Sequence, residues 1–440
     1  MTRYEDFVAS KLSRPAPDGL EPVGEPWPRL FPFQADLTRW ALRRGRSAIF
    51  ADTGLGKTSM ELTWAREVSA QTGGDVLILT PLAVAPQVVA EAVMLGDLVS
   101  FADKDPTPGV HVLNYDRLHR IDPSAYAGVV LDESSCLKHQ DSSTFSRLCE
   151  AFRDTPYRLA ATATPAPNDW TELGTHAEFL GVCTRAEMLP EFFCHDGGET
   201  QDWKLKGHAR GAFWRWVSSW AALIKRPSDL GYDDDRYALP PLEVVERVVA
   251  GSAVSEGALF VTVAETLQER RAARKASIPS RVAACVADVN AEPGESWVIW
   301  CDLNAEGDAL SAAMPDAVEV RGSDDPDAKE ARLAGFASGK HRILISKPSI
   351  CGWGLNWQHA ARMAFVGVTD SWEAYYQAVR RCWRFGQKRP VRVHVYASEA
   401  EGAVTANLAR KEAEATALGA ALSAETRAAV FESVRGSKPV

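Results

Sequence analysis

The sequence predicts an α/β protein built from two tandem, doubly wound units, each with a parallel sheet. Short, continuous apolar runs alternate with longer helical or polar stretches, which is typical of strands buried on both faces of a parallel sheet. The runs form two successive series, separated by a charged and turn-rich segment. A chain of 440 residues has room for two units of about 200 residues each.

Each series contains five predicted strands. The first series is Ser47–Phe50, Val76–Thr80, Val110–Leu113, Gly128–Leu131 and Tyr157–Ala161. The second series is Ser296–Cys301, Ala317–Val320, Arg342–Ser346, Met363–Val368 and Val391–Tyr396. The predicted organisation is a proline-rich extended arm (1–27), a first unit (28–228), a linker (229–245), a second unit (246–397) and a helical tail (398–440). We expect this tail to pack on the second unit or to protrude as a helix.

A tryptophan-rich segment, 203–224, ends the first unit. Phe213, Val217, Trp220 and Ile224 are spaced 4, 3 and 4 residues apart, which predicts one stripe on a helix. We interpret the stripe as a face that packs on the core, with stacking on bases as the alternative.

Composition and charge exclude several classes of protein. Apolar residues make up 46% and charged residues 24% of the chain, which argues against intrinsic disorder and fibrous folds. The net charge of −9 means that any contact with nucleic acid must come from local basic patches. Candidate patches are Lys204, Lys206, Arg210 and Arg215, and Arg270, Arg271, Arg274 and Lys275, with solvation of a helix surface as the alternative role that we favour for each residue alone.

The chain shows no targeting signal and no paired-cysteine site. It has neither an apolar signal segment at its N-terminus nor an apolar stretch near the roughly 20 residues that cross a bilayer. No two of the eight cysteines lie within four positions of each other, so paired-cysteine zinc and redox sites are excluded. We therefore expect a cytoplasmic protein without a membrane partner.

A phosphate-binding loop follows the first predicted strand. It reads Ala51-Asp52-Thr53-Gly54-Leu55-Gly56-Lys57-Thr58, with Ala51 where the pattern usually begins with glycine. Gly54 and Gly56 let backbone N–H groups converge on phosphate oxygens, and the helix that follows adds its positive N-terminal dipole. Lys57 is suited to neutralise the β- and γ-phosphates, and Thr58 to bind Mg²⁺.

Two carboxylates follow the fourth predicted strand. Val129, Val130 and Leu131 lead directly into Asp132 and Glu133, so both acids are expected at the carboxyl end of a central strand. Asp132 is suited to hold Mg²⁺ through water, and Glu133 to deprotonate the attacking water. Together with the phosphate loop, this pair predicts hydrolysis of a nucleoside triphosphate.

With these residues placed, the order of motifs over residues 28–397 resembles a superfamily 2 helicase of the Snf-type DNA translocase branch. The motif segments are Leu30–Gln34 (glutamine motif), Ala51–Thr58 (I), Thr80–Leu82 (Ia), Leu113–Asp116, Asp132–Ser135 (II), Ala161–Asn168 (III), Lys347–Asn356 (V) and Gln377–Gln387 (VI). Ser135 stands where the family usually has histidine, the residue that normally links the ATP state to motif III. Pro167 stands where glutamine is frequent.

The resemblance implies two RecA-like lobes with ATP and Mg²⁺ in the cleft between them. It implies that Arg381 and Arg384, on one helical face, reach the γ-phosphate and stabilise transition-state charge. It also implies two further groups of contacts. Nucleotide contacts are Gln34 (to the adenine), Thr53, Gly54, Gly56, Lys57, Thr58, Gly354 and Gln377; nucleic-acid contacts are Thr80, Pro81, Asn114, Thr164, Lys347 and Asn356. Arg380 has no equivalent family role, and we expect it to contact phosphate or solvent.

The function implied by the resemblance is that of an ATP-dependent DNA helicase or translocase. The compact chain resembles the forms that bacteriophages and mobile elements encode, which implies the cytoplasm of a prokaryotic or phage-infected cell. We expect a monomer that acts on duplex or single-stranded DNA, with replication, recombination or repair proteins as candidate partners. Two alternatives remain open: an RNA-directed helicase of the same superfamily, and an ATP-gated clamp or loading factor that does not travel along its partner.

Overall fold

The computed structural model describes residues 19–81, 84–195, 203–249, 274–351, 356–367, 371–398, 410, 419 and 425–434. The chain divides into two compact units, one formed by Met1–Tyr237 with Glu414–Val440 and the other by Ala238–Ala413. The boundary between Tyr237 and Ala238 falls inside the segment 229–245. Each unit contains its own parallel sheet, so the described residues form an α/β protein with two parallel sheets.

The first unit is built on a seven-stranded sheet in which every neighbouring pair is parallel. Its strands are Arg46–Ala51 (β1), Asp75–Thr80 (β2), Val99–Phe101 (β3), Val110–Asn114 (β4), Tyr126–Asp132 (β5), Tyr157–Ala161 (β6) and Ala221–Ile224 (β9), in the order β3-β4-β2-β5-β6-β1-β9. Phe193–His195 (β7) and Trp203–Leu205 (β8) form a separate antiparallel pair. The five strands predicted for this unit are confirmed.

Helices cover both faces of this sheet. They are Pro32–Arg44 (α1), Lys57–Thr72 (α2), Ala85–Leu95 (α3), Ser143–Ala151 (α4), Leu173–Leu180 (α5), Arg185–Phe192 (α6) and Arg210–Ser218 (α7), with 3₁₀ turns at Tyr115–Arg120, Pro123–Ala125, Ser134–Leu137, Trp170–Glu172, Gly207–Ala209 and Pro227–Leu230. Along β2, Leu77 and Leu79 enter one hydrophobic cluster, while Val76 and Ile78 enter another. Because successive side chains of a strand point to opposite faces, the sheet is buried on both sides.

The second unit has a six-stranded parallel sheet. Its strands are Leu242–Val249 (β10), Trp297–Trp300 (β11), Val318–Glu319 (β12), Ile343–Ser346 (β13), Arg362–Phe365 (β14) and Val391–Ser398 (β15), in the order β10-β15-β14-β11-β13-β12. Its helices are Ile278–Ala291 (α8), Asn304–Ala313 (α9), Pro326–Ala337 (α10), Pro348–Cys351 (α11) and Trp372–Val379 (α12). The five predicted strands are present with shifted ends: Ala317 and Val320 lie just outside β12, and the strand predicted to reach Val368 ends at Phe365. Val368 itself lies outside the described residues. Val298 and Trp300 enter one cluster and Trp297 and Ile299 the other, so this sheet is also covered on both faces.

The predicted helical stripe near residue 220 is wrong in its second half. The helix α7 ends at Ser218, and Ile224 belongs to β9, which pairs in parallel with β1. Trp220 lies between the two elements, and its carbonyl accepts a hydrogen bond from Ala48 N. All four stripe residues are nevertheless buried in the core, as expected. The strand prevails over the helical spacing because the short apolar run pairs with the neighbouring strand.

The last described part of the C-terminal tail, 425–434, packs on the first unit, whereas the sequence predicted that the tail packs on the second unit or protrudes as a helix. Residues 425–434 are helical, and Val430 joins the hydrophobic cluster of the first unit. The hydroxyl of Thr426 accepts a hydrogen bond from Leu223 N of the edge strand β9 at 3.0 Å. An edge strand has unpaired backbone groups, and the tail satisfies one of them.

The described part of the N-terminal arm, 19–27, contains no helix or strand, as the proline content predicts. It is held by the carboxylate of Glu67 on α2, which accepts hydrogen bonds from Val23 N, Gly24 N and Trp27 Nε1 at distances of 2.9 to 3.0 Å. The arm is therefore fixed to the helix that begins at the phosphate loop.

Candidate functional site

The phosphate-binding loop connects β1, which ends at Ala51, to α2, which begins at Lys57. Gly54 and Gly56 have φ values of 91° and 78°, in the left-handed region that glycine adopts without strain. The first N–H groups of α2 have no partner inside the helix, and its dipole is positive at this end. The loop therefore has a backbone geometry that can hold an anion, and phosphate binding stays a prediction.

Gln34 supports this loop from α1. Its Oε1 accepts a hydrogen bond from Phe31 N at 2.9 Å, and its Nε2 donates to the carbonyl of Leu55 at 2.8 Å. A Cβ atom on Gly56 would lie 2.2 Å from Gln34 Nε2, so only glycine fits there. The resemblance implies that Gln34 contacts adenine; in this structure both ends of its amide also bind the chain.

The phosphate-binding loop and the helix start after it carry the polar side chains of Thr53, Lys57 and Thr58. Lys57 Nζ donates a hydrogen bond to the carbonyl of Ala51 at 3.0 Å. The Thr53 hydroxyl is buried and has no hydrogen-bond partner within the described part of the chain. Thr58 follows Lys57 in the first turn of α2 and is half-buried. A phosphate group would supply hydrogen-bond acceptors for these side chains and for the first N–H groups of α2.

Asp132 ends the central strand β5, as predicted. The Thr80 hydroxyl donates to Asp132 Oδ2 at 2.8 Å, and the Tyr115 hydroxyl donates to the Asp132 carbonyl at 2.8 Å. Burial, and then the negative charge of Glu133, raise the pKa of Asp132 to about 7, while the Thr80 hydrogen bond and the charge of Lys57 oppose this rise. The Asp132 carboxyl group is thus held in place and lacks a full counter-charge.

Glu133 follows in a left-handed conformation, with φ and ψ both 53°. This region is uncommon for residues other than glycine and costs about 1 kcal/mol or more. The turn brings Glu133 Oε2 to 3.5 Å from the hydroxyl of Thr162, just after β6. That hydroxyl also accepts a hydrogen bond from Thr164 N at 3.1 Å. The backbone therefore orients the carboxylate toward the end of the neighbouring strand.

The strand order brings these segments together. In the first sheet β5, β6 and β1 are consecutive parallel neighbours. Because the carboxyl ends of parallel strands meet at one edge, the Asp132–Glu133 pair, the Thr162–Thr164 segment and the phosphate loop lie side by side. This edge is the candidate functional site, and the sequence predicted its three components.

Two residues of this site were missed from the sequence. His176 on α5 is buried, with its Nε2 3.1 Å from the Ser134 hydroxyl. Glu61 on α2 is 1% exposed, and burial, followed by the charge of Asp132, raises its pKa well above the ordinary value. The position of Glu61 four residues after Lys57 on a predicted helix was a usable signal. No local pattern marks His176.

The residues predicted to contact nucleic acid from the first unit lie at the same edge of the sheet. The side chains of Thr80, Asn114 and Thr164 are buried, and Pro81 is half-buried. The Asn114 side chain accepts a hydrogen bond from Asp116 N at 2.8 Å. The side chains of Thr80 and Asn114 bind other parts of the chain. Contact of all four residues with nucleic acid stays a prediction; Leu82 lies outside the described residues.

In the second unit, the predicted helical face for Arg381 and Arg384 is wrong. The helix α12 ends at Val379, and both arginines lie in the irregular segment that follows. The Arg381 carbonyl accepts a hydrogen bond from Trp357 N at 2.9 Å. Because the Arg381 carbonyl pairs with another segment, the helix does not continue through the two arginines.

Arg381 and Gln377 are bound to each other. The guanidinium group of Arg381 is 1% exposed and donates to the backbone carbonyl and the side-chain Oε1 of Gln377, each at 2.9 Å. Arg384 is half-buried. Arg380, expected at phosphate or solvent, is instead buried against the rings of Tyr376 and Trp383, at 5.5 and 4.9 Å.

The remaining predicted residues of the second unit are only partly described. Lys347 follows β13 directly and is half-buried, and Asn356 is exposed. Gly354 lies outside the described residues, as do Arg270 and Arg271 of the predicted basic patches.

Several of the other basic residues already make contacts within their own unit. Lys206 Nζ donates to the carbonyls of Pro190 and Glu191, and Arg210 lies over the ring of Trp170 at 5.6 Å. Arg274 pairs with Asp302 at 3.1 Å. These contacts hold the side chains at the surface of each unit; their contact with nucleic acid stays a prediction.

Comparison with protein-family models finds none that matches this chain, and comparison with curated proteins finds no match either. Among the described residues, no helix combines the length and the apolar character that crossing a membrane requires. Within the same parts of the chain, no group of three or more His, Cys, Asp or Glu side chains is arranged to hold a metal ion.

Proposed function

We propose that this protein is an ATP-dependent DNA helicase or translocase with two RecA-like lobes that share one bound ATP. The observation that carries the proposal is the edge of the first sheet, where the phosphate loop, the Asp132–Glu133 pair and the Thr162–Thr164 segment follow three adjacent strands. A phosphate loop beside two carboxylates has the parts that triphosphate hydrolysis needs.

The roles of the first-unit residues follow from their chemistry. The loop N–H groups and Lys57 bind the β- and γ-phosphates, and Thr58 and Asp132 hold Mg²⁺, which neutralises charge on those oxygens when bound. Glu133 accepts a proton from the attacking water. The Thr53 hydroxyl, which has no hydrogen-bond partner among the described residues, fits a bound nucleotide. The Asp132 carboxyl group, whose pKa burial and the charge of Glu133 raise, fits a bound cation.

The second unit is proposed to supply an arginine to the γ-phosphate. Of the two arginines that the resemblance implies, Arg381 is buried and bound to Gln377, whereas Arg384 is half-buried. We therefore assign the contact to Arg384, and we assign to Arg381 the task of holding the segment that carries it. Such an arginine can increase the rate by about 10³–10⁵.

Movement along DNA then follows from a hinge with two states. ATP favours the closed state because it contacts both units, and hydrolysis removes that difference in contact. Contacts with the phosphate backbone supply affinity without reading the sequence. If both units bind the backbone, alternation between the two states moves the protein along it.

The test is an ATPase assay without nucleic acid and with single-stranded DNA, duplex DNA or RNA, with Lys57→Ala as the background. We expect DNA to stimulate turnover and Lys57→Ala to abolish it, because the loop loses its phosphate charge. Stimulation by duplex alone would favour translocation over strand separation. Stimulation by RNA alone would replace the DNA assignment, and full activity of Lys57→Ala would contradict the phosphate-loop assignment. ATP-dependent retention of DNA without stimulated turnover would favour the clamp or loading factor.

A further inference from the structure

Helix α2 carries two buried glutamates whose surroundings differ sharply. Glu67 is 2% exposed, and its carboxylate accepts hydrogen bonds from Val23 N, Gly24 N and Trp27 Nε1. Glu61 is 1% exposed, yet neither of its carboxylate oxygens has a hydrogen-bond partner among the described residues. Glu67 is thus explained by its role in holding the N-terminal arm, whereas the fold gives Glu61 no such role.

Glu61 belongs to the face of α2 that turns toward the candidate site. It lies four residues after Lys57, and residues at this spacing share one face of a helix. The helix packs closely on β5, since a Cβ atom on Gly128 would lie 3.2 Å from Val68 Cγ1. Burial raises the pKa of the Glu61 carboxyl group most, and the negative charges of Asp132 and Glu133 raise it further. The positive charge of Lys57 lowers it. Glu61 is therefore a third carboxylate close to the pair that follows β5.

Negative charges outnumber positive charges around the Glu61 carboxyl group. Three buried or partly buried acids, Glu61, Asp132 and Glu133, stand near one lysine, and Lys57 Nζ already binds the carbonyl of Ala51. The negative charge of Glu91 also raises the pKa of Glu61. Glu91, however, has a partner, because its Oε1 accepts a hydrogen bond from the Ser59 hydroxyl. Buried carboxylates in proteins are paired, hydrogen-bonded or bound to metal ions. A cation, or a water molecule that a cation holds, would supply the partner that Glu61 lacks among the described residues.

We propose that Glu61 is a positioning residue for the divalent cation of the nucleotide, and that its carboxylate accepts hydrogen bonds from water bound to that cation. Mg²⁺ keeps several of its waters when it is held by one or two carboxylates and by substrate phosphates. Groups that bind such waters orient the ion and raise its affinity. This inference rests on the proposed function, because the nucleotide brings the ion to the site.

The test measures metal binding and does not depend on turnover. Mn²⁺ is titrated into the full chain with a non-hydrolysable ATP analogue and is followed by its paramagnetic resonance signal, and affinity for the analogue is measured separately without metal. We expect Glu61→Gln to weaken Mn²⁺ binding about tenfold, with no loss of metal-free nucleotide affinity. A second variant, Glu61→Leu, should show the same loss. Glu91→Gln, which removes a nearby charge that already has a partner, should bind Mn²⁺ as the wild type does.

Three results would overturn the inference. They are wild-type Mn²⁺ affinity in both Glu61 variants, an equal loss in Glu91→Gln, and a melting temperature of metal-free Glu61→Gln clearly below that of the wild type, which would assign Glu61 a structural role. If the wild type itself binds no ATP analogue, the proposed function fails as well. If the wild type binds the analogue and Mn²⁺ but the Glu61 variants match it, the inference alone fails.

Discussion

The imidazole Nε2 of His176 lies 3.1 Å from the hydroxyl of Ser134, the residue directly after Glu133. On the other side of the ring, Nδ1 lies 3.4 Å from the backbone carbonyl of Glu172. Because a carbonyl can only accept, Nδ1 carries the proton in this arrangement and Nε2 accepts from the Ser134 hydroxyl. The carboxylate of Glu172 in turn accepts hydrogen bonds from Asn168 N and Nδ2 at 3.1 and 2.8 Å. A buried histidine thus joins the segment after Glu133 to the segment that contains Asn168.

The protonation of His176 gives a first prediction, on stability. Burial lowers the pKa of His176 from 6.5 to about 4, so the unfolded chain binds a proton at a higher pH than the folded protein does. The free energy of unfolding should therefore fall as the pH decreases from about 6.5 to about 4, by about 3 kcal/mol from this group. In His176→Gln this dependence should be absent. Urea denaturation of both proteins at several pH values across this range measures the difference.

The wild type must be compared with His176→Gln because the titration of Asp132 changes the free energy of unfolding in the opposite direction. Its pKa is raised to about 7 in the folded protein, so its contribution to stability increases as the pH falls toward 3.8. Asp132 is present in both proteins, and its effect therefore cancels in the difference. Parallel pH profiles for the wild type and His176→Gln would show that His176 does not titrate in this way.

The parts of this structure that were predictable from sequence are those whose signals are local. The strand β5 is a continuous apolar run that ends at Asp132, and the run itself shows that both faces are buried. The loop before Lys57 needs positive φ at Gly54 and Gly56, and glycine marks such positions. Strand ends and loop glycines together located the candidate site in the first unit.

The parts that were missed depend on contacts between segments that are distant in the chain. The strand β9 exists because it pairs with β1, and the helix α12 stops where the Arg381 carbonyl binds Trp357 N. Neither pairing leaves a trace in the local sequence, so helical spacing was the only guide in both places. The link from His176 to Ser134 is of the same kind, since a lone histidine in an apolar helix is usually a core residue.

The close approach of Gly56 to Gln34 gives a second prediction. In Gly56→Ala, the new Cβ would lie 2.2 Å from Gln34 Nε2, and φ would remain at 78°. We expect a loss of stability of about 1–2 kcal/mol from the backbone alone and a clear loss of ATP affinity as the loop moves. Gly73→Ala is the matched control, because Gly73 has φ 68° and a Cβ atom added there would meet nothing within 4 Å.

The control separates backbone strain from displacement of the loop. Gly73→Ala should lose a similar free energy of unfolding from strain but keep its ATP affinity, since Gly73 ends α2 far along the helix from the loop. Thermal unfolding and equilibrium binding of a fluorescent ATP analogue measure the two quantities. Equal ATP affinity in the two variants would show that the contact between Gly56 and Gln34 does not shape the phosphate site.

The assignment of Glu133 as the general base gives a third prediction. Glu133→Gln keeps the size of the side chain but cannot accept a proton from water, so we expect turnover to fall about 10²–10⁴-fold. ATP binding should persist, and the ATP-bound complex with DNA should therefore last longer. Single-turnover hydrolysis and the dissociation rate from DNA check the two effects. Glu150→Gln, an exposed carboxylate on α4, should behave as the wild type; normal hydrolysis by Glu133→Gln would place the base elsewhere.

The half-buried Arg384 gives the last prediction, which tests the contribution of the second unit. Arg384→Ala should lower turnover about 10³-fold, because transition-state charge on the γ-phosphate loses its arginine, while the first-unit loop keeps its affinity for ATP. Arg389→Ala is the matched control: Arg389 is exposed and pairs with Glu295 at 2.8 Å, so its loss should leave turnover unchanged. Steady-state ATPase rates together with ATP affinity separate the two roles. Wild-type turnover in Arg384→Ala would mean that the first unit completes the catalytic site without the second, and the proposed sharing of ATP by two units would then be wrong.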